Sequence, residues 1–346
     1  MSSPDLDYAP SLRDRYVVVG VDASPYTVKV RAVLRYRRLP HAWLCRMPQF
    51  YAPLAAVKPL LMPVVRFPDG SHRIDSTSIV AELERAHPSQ RSVQPDDPVL
   101  AFYAALIEDM ADEWMTKLLY FYRFQGSPDR EFASAWVMDD AYADLSETEL
   151  AAKADTFLQR QEERRAVVGA TQDNAPLLEK SFARLLDLLR PLFAMERFLF
   201  GSRPSVADFA LYGQLHTLCA DPTPAALIHA RAPRADYWLR RADDLSGIDG
   251  AWQKSGNANA TVAGLLRMIG DTYLPYLKAN AEADGAGQDR FAVTLGDGAY
   301  AQKPFRFHVK CLKNLREAFA ALSPSDRARA TPMLQASGCL LYLLPS

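Results

Sequence analysis

The sequence has no apolar run near the roughly 18–20 residues that a membrane span needs, although 49% of its 346 residues are hydrophobic. Residues 1–15 are polar and lack the apolar core of a secretory signal. We therefore expect a cytoplasmic protein with no membrane partner. The chain is too long for one typical core, so two or more compact units are expected.

Cysteine is scarce, and its four residues stand far apart, at Cys45, Cys219, Cys311 and Cys339. A zinc site or a disulfide framework would bring cysteines close together in the sequence. The six histidines are isolated as well. The sequence therefore predicts reduced thiols, no bound metal and no thiol-redox centre.

An excess of charge of either sign is also missing, since 40 basic and 41 acidic residues give a formal net charge of −1. This balance argues against a broad attraction to nucleic acid or to an anionic membrane. The one basic run, Arg35 to Arg38, lies at a predicted helix end, where cations complement the helix dipole. We expect no nucleic-acid partner.

The first ninety residues alternate between strand and helix patterns. The β-branched segment 16–21 has the length of a buried strand, and Pro25 suits the first turn of the helix that follows. The order of elements predicts a mixed sheet that joins a helix-connected parallel pair to a hairpin. The predicted elements are strand 16–21, a helix from Pro25, strands 41–44, 63–67 and 71–74, and a helix from Asp75 to about His87.

Helical patterns dominate the remainder, apart from one hairpin predicted near residues 291–307. The predicted helices cover about 97–124, 146–167, 175–199, 205–219, 231–243, 260–282 and 308–344. The predicted domains are an N-terminal tail at 1–14, an α/β domain at 15–90, a helical domain at 96–250 and an extension with the hairpin at 255–346.

Four short motifs, in this order, resemble those of the glutathione transferase superfamily. The resemblance covers about residues 15–245 and implies a thioredoxin-like α/β N-terminal domain, an all-α C-terminal domain and an additional, mostly helical extension. The motifs are Ser24-Pro25-Tyr26-Thr27 after the first strand, Met62-Pro63-Val64 before the third, Asp75-Ser76 at a helix start, and the helix-capping segment from Gly201 to Phe209.

By this resemblance Ser24 is the catalytic residue. Its hydroxyl would donate a hydrogen bond to the thiolate of glutathione, and a stabilised thiolate has a lower thiol pKa. Ser24 is equally suited to cap the helix that follows, and both roles can hold together. A covalent role is not expected, because no base is visible beside it.

The other glutathione contacts implied by the resemblance involve the second and third motifs. A cis Met62–Pro63 bond would turn the Met62 backbone toward the cysteinyl part of glutathione; a trans proline at a strand start is the alternative. Ser76 would bind the γ-glutamyl carboxylate at a helix N-terminus, or only cap the helix. The residues assigned to glutathione binding are Tyr26, Met62, Pro63, Val64, Asp75 and Ser76, with Asp75 on the ligand's ammonium group.

The helix predicted at 97–124 carries acidic and aromatic residues. Its carboxylates are predicted on a solvated or salt-bridged face, with Asp109 or Asp112 as an alternative partner of the ligand's amino group. The resemblance places this helix beside the second-substrate pocket, with Trp114 and Tyr120 as candidate wall residues. Farther on, Ser205 and Asp208 form a capping box with a structural role.

Three functions remain open at this point. The leading one is a glutathione transferase-like enzyme that uses glutathione as co-substrate, without a metal, against a small apolar electrophile; the family resemblance also implies a homodimer. The extension motivates the alternative of a non-catalytic binding or scaffold protein. A glutathione-dependent thiol oxidoreductase is the third, although Ser24 cannot supply the thiolate that this exchange needs.

Overall fold

The structure is a computed structural model that describes residues 12–45, 54, 57–88, 91–142, 145–254 and 259–344. Most of the predicted N-terminal tail and the first residues of the predicted extension lie outside these ranges. Within them, no helix combines the length and the apolar character that a bilayer crossing requires.

The N-terminal part is a four-stranded mixed sheet with two helices. Its elements are β1 (Tyr16–Gly20), α1 (Pro25–Tyr36), β2 (His41–Cys45), β3 (Val64–Arg66), β4 (His72–Arg73) and α2 (Ser76–Ala86). The strand order is β2-β1-β3-β4, with β1 parallel to β2 and antiparallel to β3. This is the mixed sheet predicted from the order of the elements, in the thioredoxin-like arrangement that the resemblance implies.

The register of the sheet brings three separate segments to one edge. Val19 at the end of β1 pairs with Val64 at the start of β3, and β4 runs antiparallel to β3, with Arg73 opposite Val65. The chain that leaves β1, the chain that enters β3 and the chain that leaves β4 therefore meet there. These segments carry the first three sequence motifs.

The middle of the chain is helical, and its long helix α3 runs through the centre of the fold. The helices are α3 (Pro98–Gln125), α4 (Asp129–Tyr142), α5 (Glu147–Val168), α6 (Ala175–Ala194), α7 (Val206–Ala220), α8 (Pro222–Arg231) and α9 (Ala235–Ala242). Helix α7 is nearly all buried and packs against both α1 and α3. Helices α4 and α8 were not predicted from the sequence.

The C-terminal part packs directly on α3. It consists of α10 (Ala260–Met268), a π-helical turn (Ile269–Tyr273), α11 (Leu274–Gly285), β5 (Phe291–Leu295), β6 (Gly298–Gln302), α12 (Arg306–Ala321), α13 (Pro324–Ala336) and α14 (Leu340–Leu343). The predicted hairpin is confirmed, with its second strand displaced toward the N-terminus. One contiguous apolar core extends from Val18 in the sheet to Leu334 in α13.

Candidate functional site

Ser24 stands at the sheet edge as the N-cap of α1. Its Oγ accepts a hydrogen bond from the Thr27 backbone N–H at 3.4 Å, and Pro25 fills the first helical position. A hydroxyl group has two acceptor positions and one proton, so this cap leaves the Ser24 proton able to donate elsewhere. The capping role is confirmed, and the catalytic role stays a prediction.

The turn before Ser24 requires a close approach between the end of β1 and the first turn of α1. A Cβ atom at Gly20 would lie 2.5 Å from Thr27 Oγ1, well inside van der Waals contact. Thr27 is fully buried. Glycine at position 20 therefore lets α1 begin immediately above the sheet edge.

Residues from distant helices hold this turn in place, and sequence reasoning missed them. Arg123 on α3 donates to the Ala23 carbonyl at 2.8 Å while forming an ion pair with the buried Asp221 at 2.7 Å. On the other side, Asp140 on α4 accepts from the Asp22 backbone N–H at 2.6 Å. The backbone directly before Ser24 is thus fixed by two helices.

The second motif also lies at the sheet edge. The Met62–Pro63 peptide bond is cis, as predicted. Val64 is fully buried beneath it and packs with Val17 and Val19 of β1. Whether Met62, Pro63 and Val64 contact glutathione stays a prediction.

The third motif forms the start of α2. Asp75 has a φ of 72°, a conformation that residues with a side chain rarely adopt. Its carboxylate caps the helix by accepting from the Thr77 N–H and the Ser78 hydroxyl, each at 3.1 Å. Ser76 follows as the first helical residue and is buried. The predicted capping turn is confirmed, and the binding roles of Asp75 and Ser76 stay predictions.

Tyr26 projects from α1 toward the long helix α3. Its hydroxyl donates to the Asp112 carbonyl at 2.9 Å and lies 2.8 Å from Thr116 Oγ1. Because this hydroxyl is engaged by α3, the predicted contact of Tyr26 with glutathione would have to use its ring.

A buried ionic cluster joins α1 and α2 to α3. The Lys29 ammonium group lies 2.6 Å from both Glu108 Oε1 and Asp112 Oδ2, and Thr77 donates to the same two carboxylates. Burial by itself lowers the pKa of Lys29, but the two carboxylates outweigh it and raise that pKa. The salt-bridged alternative for these acids is confirmed, with a partner from the other domain rather than from their own helix.

The other two acids of α3 face the C-terminal part. Asp109 accepts from the Tyr273 hydroxyl at 2.6 Å, and burial raises its pKa to about 8. Glu113 pairs with His308 Nε2 at 2.8 Å. Asp109 and Asp112 are both engaged by protein groups, which argues against the alternative that one of them binds the ligand's amino group.

Trp114 differs from its predicted place in a substrate pocket. Its indole is fully buried, donates to Ser181 Oγ at 2.8 Å and packs against Tyr276 and Tyr300 of the C-terminal part. The C-terminal part covers this face of α3, which leaves no indole surface for a substrate. Trp114 is therefore a core residue between α3 and the C-terminal part.

Tyr120 is half-buried and lies nearer the Ser24 turn. Its hydroxyl donates to Gln161 at 3.0 Å, and its ring packs on Phe124. Phe124 in turn packs on Phe157, which borders the apolar cluster that contains Ala23. Tyr120 stays a candidate for the second-substrate pocket.

The capping box at α7 is confirmed. Ser205 Oγ accepts from the Asp208 N–H at 3.4 Å, and Asp208 Oδ2 accepts from the Ser205 N–H at 2.8 Å. The second Asp208 oxygen accepts from the Leu199 N–H. Burial raises the pKa of Asp208 to about 6, and its role is structural.

The comparison with protein families gives a match in the N-terminal part. Residues 18–92 match the family model described as "Glutathione S-transferase, N-terminal domain". No curated protein is significantly similar to the chain.

Several solved structures resemble the chain over about two thirds of its length. A glutathione S-transferase from Pseudomonas fluorescens is 22% identical, covers 65% of this chain and 93% of its own, and has a TM-score of 0.33. One from Methylobacterium radiotolerans in complex with glutathione sulfonate is 22% identical, with coverages of 69% and 97% and a TM-score of 0.44. A homologue from Drosophila mojavensis with bound glutathione is 18% identical, with coverages of 72% and 96% and a TM-score of 0.39.

The matched residues begin within β1 and include β2, β3, β4 and all three motifs at the sheet edge. This agrees with the resemblance that Ser24, Met62-Pro63 and Asp75-Ser76 carry in the sequence. By this match, residues 18–92 are similar to the N-terminal domain of glutathione S-transferases.

Proposed function

We propose that this protein is a glutathione transferase-like enzyme that binds glutathione at the sheet edge and activates its thiol for attack on a small apolar electrophile. One observation carries the proposal. The strand register brings the Ser24 turn, the cis Met62–Pro63 bond and the Asp75-Ser76 helix start to the same edge. Two helix N-termini therefore lie where an anionic peptide would bind.

The chemistry at this edge follows from the two helix starts. The first-turn N–H groups and the positive dipole end of α2 favour a carboxylate at Ser76. The start of α1 favours a thiolate beside Ser24 in the same way. The Ser24 proton, which its cap with Thr27 does not use, donates to the sulfur. A stabilised thiolate has a lower pKa and is more populated near neutral pH.

An apolar second substrate is supported by the surroundings of the same turn. Ala23, which precedes Ser24, packs with Val137 and Met138 of α4, and partly buried Phe157 borders this cluster. A charged electrophile would lose its hydration there without gaining a partner, whereas an apolar one would gain from burial. The cytoplasmic location and the homodimer implied by the resemblance belong to this proposal as predictions.

The test compares two serines in the same local setting. Ser24 and Ser323 both cap a helix that begins with proline, so Ser24→Ala and Ser323→Ala lose similar caps. Glutathione binding is measured by calorimetry, and the pKa of the bound thiol by its ultraviolet absorption. We expect Ser24→Ala to bind glutathione with a raised thiol pKa and slower turnover, and Ser323→Ala to match the parent protein. An unchanged thiol pKa in Ser24→Ala would contradict the role of Ser24.

A non-catalytic binding protein is the second candidate, because the C-terminal part covers the Trp114 face of α3. This function predicts glutathione binding with the thiol pKa of free glutathione and no turnover of aryl halides or other small electrophiles. The same titration therefore separates the two functions.

A further inference from the structure

Three side chains between positions 219 and 236 meet at the ends of three consecutive helices. Cys219 lies near the end of α7, His229 near the end of α8 and Asp236 near the start of α9. Their donor atoms, a thiol sulfur, an imidazole nitrogen and a carboxylate oxygen, all lie within 4.8 Å of one another. Cys219 Sγ and His229 Nε2 are 3.9 Å apart.

From this geometry we infer that Cys219, His229 and Asp236 form a binding site for a zinc-class divalent metal ion. Zinc binds cysteine sulfur at about 2.3 Å, histidine nitrogen at about 2.0–2.1 Å and carboxylate oxygen at about 2.0–2.2 Å. In a tetrahedral shell, donors at such distances lie roughly 3.3–3.7 Å apart, so the 3.9 Å between Cys219 Sγ and His229 Nε2 needs to shorten by only a few tenths of an ångström. The mixture of sulfur and nitrogen donors favours zinc over magnesium or calcium, which prefer oxygen ligands.

The surroundings fit an open, three-residue site. Cys219 and Asp236 line a surface cavity that His216 also borders, and water from this cavity would complete a tetrahedral shell. Asp243 lines the same cavity but is already engaged, because it accepts from the Tyr212 hydroxyl at 2.8 Å and pairs with Arg35 at 2.7 Å. Among the described residues, the clustered donors are therefore those of Cys219, His229 and Asp236, and solvent would fill the remaining position.

One cation already competes for the site. Arg240 Nε lies 2.9 Å from Asp236 Oδ2, but the Arg240 side chain is 76% exposed, and exposed ion pairs of this kind are weak. A divalent ion would displace this guanidinium. Removing the Arg240 charge should therefore tighten metal binding. If the three side chains were together only by chance, this substitution would have no such effect.

The spacing of these residues in the sequence gives no sign of the site. The sequence predicted no metal, because its cysteines and histidines form no closely spaced pairs. The alternative is that the cluster binds no metal, with Cys219 filling a half-buried position and His229 complementing the dipole at the end of α8. This site lies outside the sheet edge, so the inference does not depend on the proposed function.

The test uses the full chain with cobalt(II) and zinc(II) as probes. We expect cobalt to bind with a thiolate-to-cobalt charge-transfer absorption and zinc to displace it. Cys219→Ser should abolish that absorption, whereas Cys45→Ser, which changes a half-buried cysteine of β2, should leave it intact. His229→Gln and Asp236→Asn should each weaken zinc binding about tenfold or more, and Arg240→Gln should strengthen it.

Three results would overturn the inference. These are no charge-transfer absorption with cobalt, an absorption that Cys45→Ser removes and Cys219→Ser keeps, or zinc affinity that His229→Gln does not change. Circular dichroism of each variant checks that its helices are intact. Because His229 is exposed and Asp236 is half-buried, their polar replacements leave the core untouched.

Discussion

Lys29 and Lys117 are buried to the same degree, each with 1% exposure, yet they join α3 to different parts of the molecule. Lys29 connects the N-terminal sheet domain to α3 through the carboxylates of Glu108 and Asp112, both at 2.6 Å. Lys117 connects α3 to the C-terminal part and to the end of α5 through three neutral acceptors. These are the Val168 carbonyl at 3.0 Å, the Tyr276 hydroxyl at 3.1 Å and Gln302 Oε1 at 2.8 Å.

The difference shows that the partner, rather than burial, decides the charge state of a buried lysine. Carboxylates keep Lys29 charged and raise its pKa. Burial lowers the pKa of Lys117 to about 7, with Glu113 offsetting only part of the effect. The Lys117 ammonium also lies 4.4 Å from the centre of the Tyr276 ring. One junction of α3 is therefore ionic, and the other is a polar, aromatic contact that titrates near neutral pH.

The largest expected effect is that of Lys29→Met. The substitution leaves two carboxylates buried without their cation, and breaking a buried ion pair in this way typically costs about 3–5 kcal/mol. Urea unfolding at pH 7 measures the change in the free energy of unfolding. The control is Lys278→Met, since Lys278 is 46% exposed and pairs with Glu282 one turn away. Equal losses in the two variants would contradict the ionic junction.

The next largest effect is the pH dependence that Lys117 adds to the free energy of unfolding. The unfolded lysine keeps its proton to about pH 10.5, whereas the folded one releases it near pH 7. Between these values the unfolded state binds more protons, so this group makes the free energy of unfolding rise with pH. Between pH 7 and pH 9, the free energy of unfolding of the parent protein should rise by about 2 kcal/mol relative to that of Lys117→Met.

Of the described groups that face Lys117, Glu113 alone titrates in this range, so the comparison is also made in the Glu113→Gln background. Burial raises the pKa of Glu113 to about 7, and burial raises the pKa values of Tyr276 and Tyr300 far above the measured range. His308 has a strongly lowered pKa, again because of burial, and Gln302 does not titrate. Parallel stability curves for the parent and Lys117→Met above pH 7 would show that Lys117 keeps its proton, like Lys29.

At pH 7 itself, Lys117→Met should cost about 1 kcal/mol or less, because the lost hydrogen bonds are offset by removal of a buried group whose lowered pKa opposes folding at this pH. Methionine keeps most of the apolar stem, and no buried carboxylate loses its partner. Chemical unfolding of Lys117→Met beside Lys29→Met measures the ratio of the two losses. A loss as large as that of Lys29→Met would mean that both junctions depend on charge.

Local chemistry explains what was predictable from the sequence. The helix caps at Ser24, Asp75 and Ser205, the cis Met62–Pro63 bond and the order of strands depend on neighbouring residues or on motifs. The sequence failed at α4, whose buried face includes the small residues Ala133, Ser134 and Ala141. Such a face carries little of the apolar periodicity that predicts a helix.

The errors around the site have a different physical origin, because they depend on contacts between distant parts of the chain. Lys29 pairs with residues about eighty positions away, and Lys117 contacts Gln302 across a still longer separation. Charged residues are rarely buried without partners, and the partners cannot be identified from spacing. The same limit placed Trp114 in a substrate pocket, since nothing in the sequence showed that Tyr276 and Tyr300 would cover it.

The smallest expected effect concerns the one carboxylate near Lys117. Glu113 is held by His308 Nε2 at 2.8 Å, and its charge raises the pKa of Lys117 against the effect of burial. Glu113→Gln should therefore move the Lys117 midpoint below pH 7, so that the rise of stability with pH begins earlier. This midpoint is obtained from the free energy of unfolding of Glu113→Gln minus that of the double variant Glu113→Gln, Lys117→Met, measured as a function of pH. Asp109→Asn, which changes another buried acid of α3, should leave this midpoint unchanged, and an unchanged or higher midpoint in Glu113→Gln would contradict the effect of the Glu113 charge on Lys117.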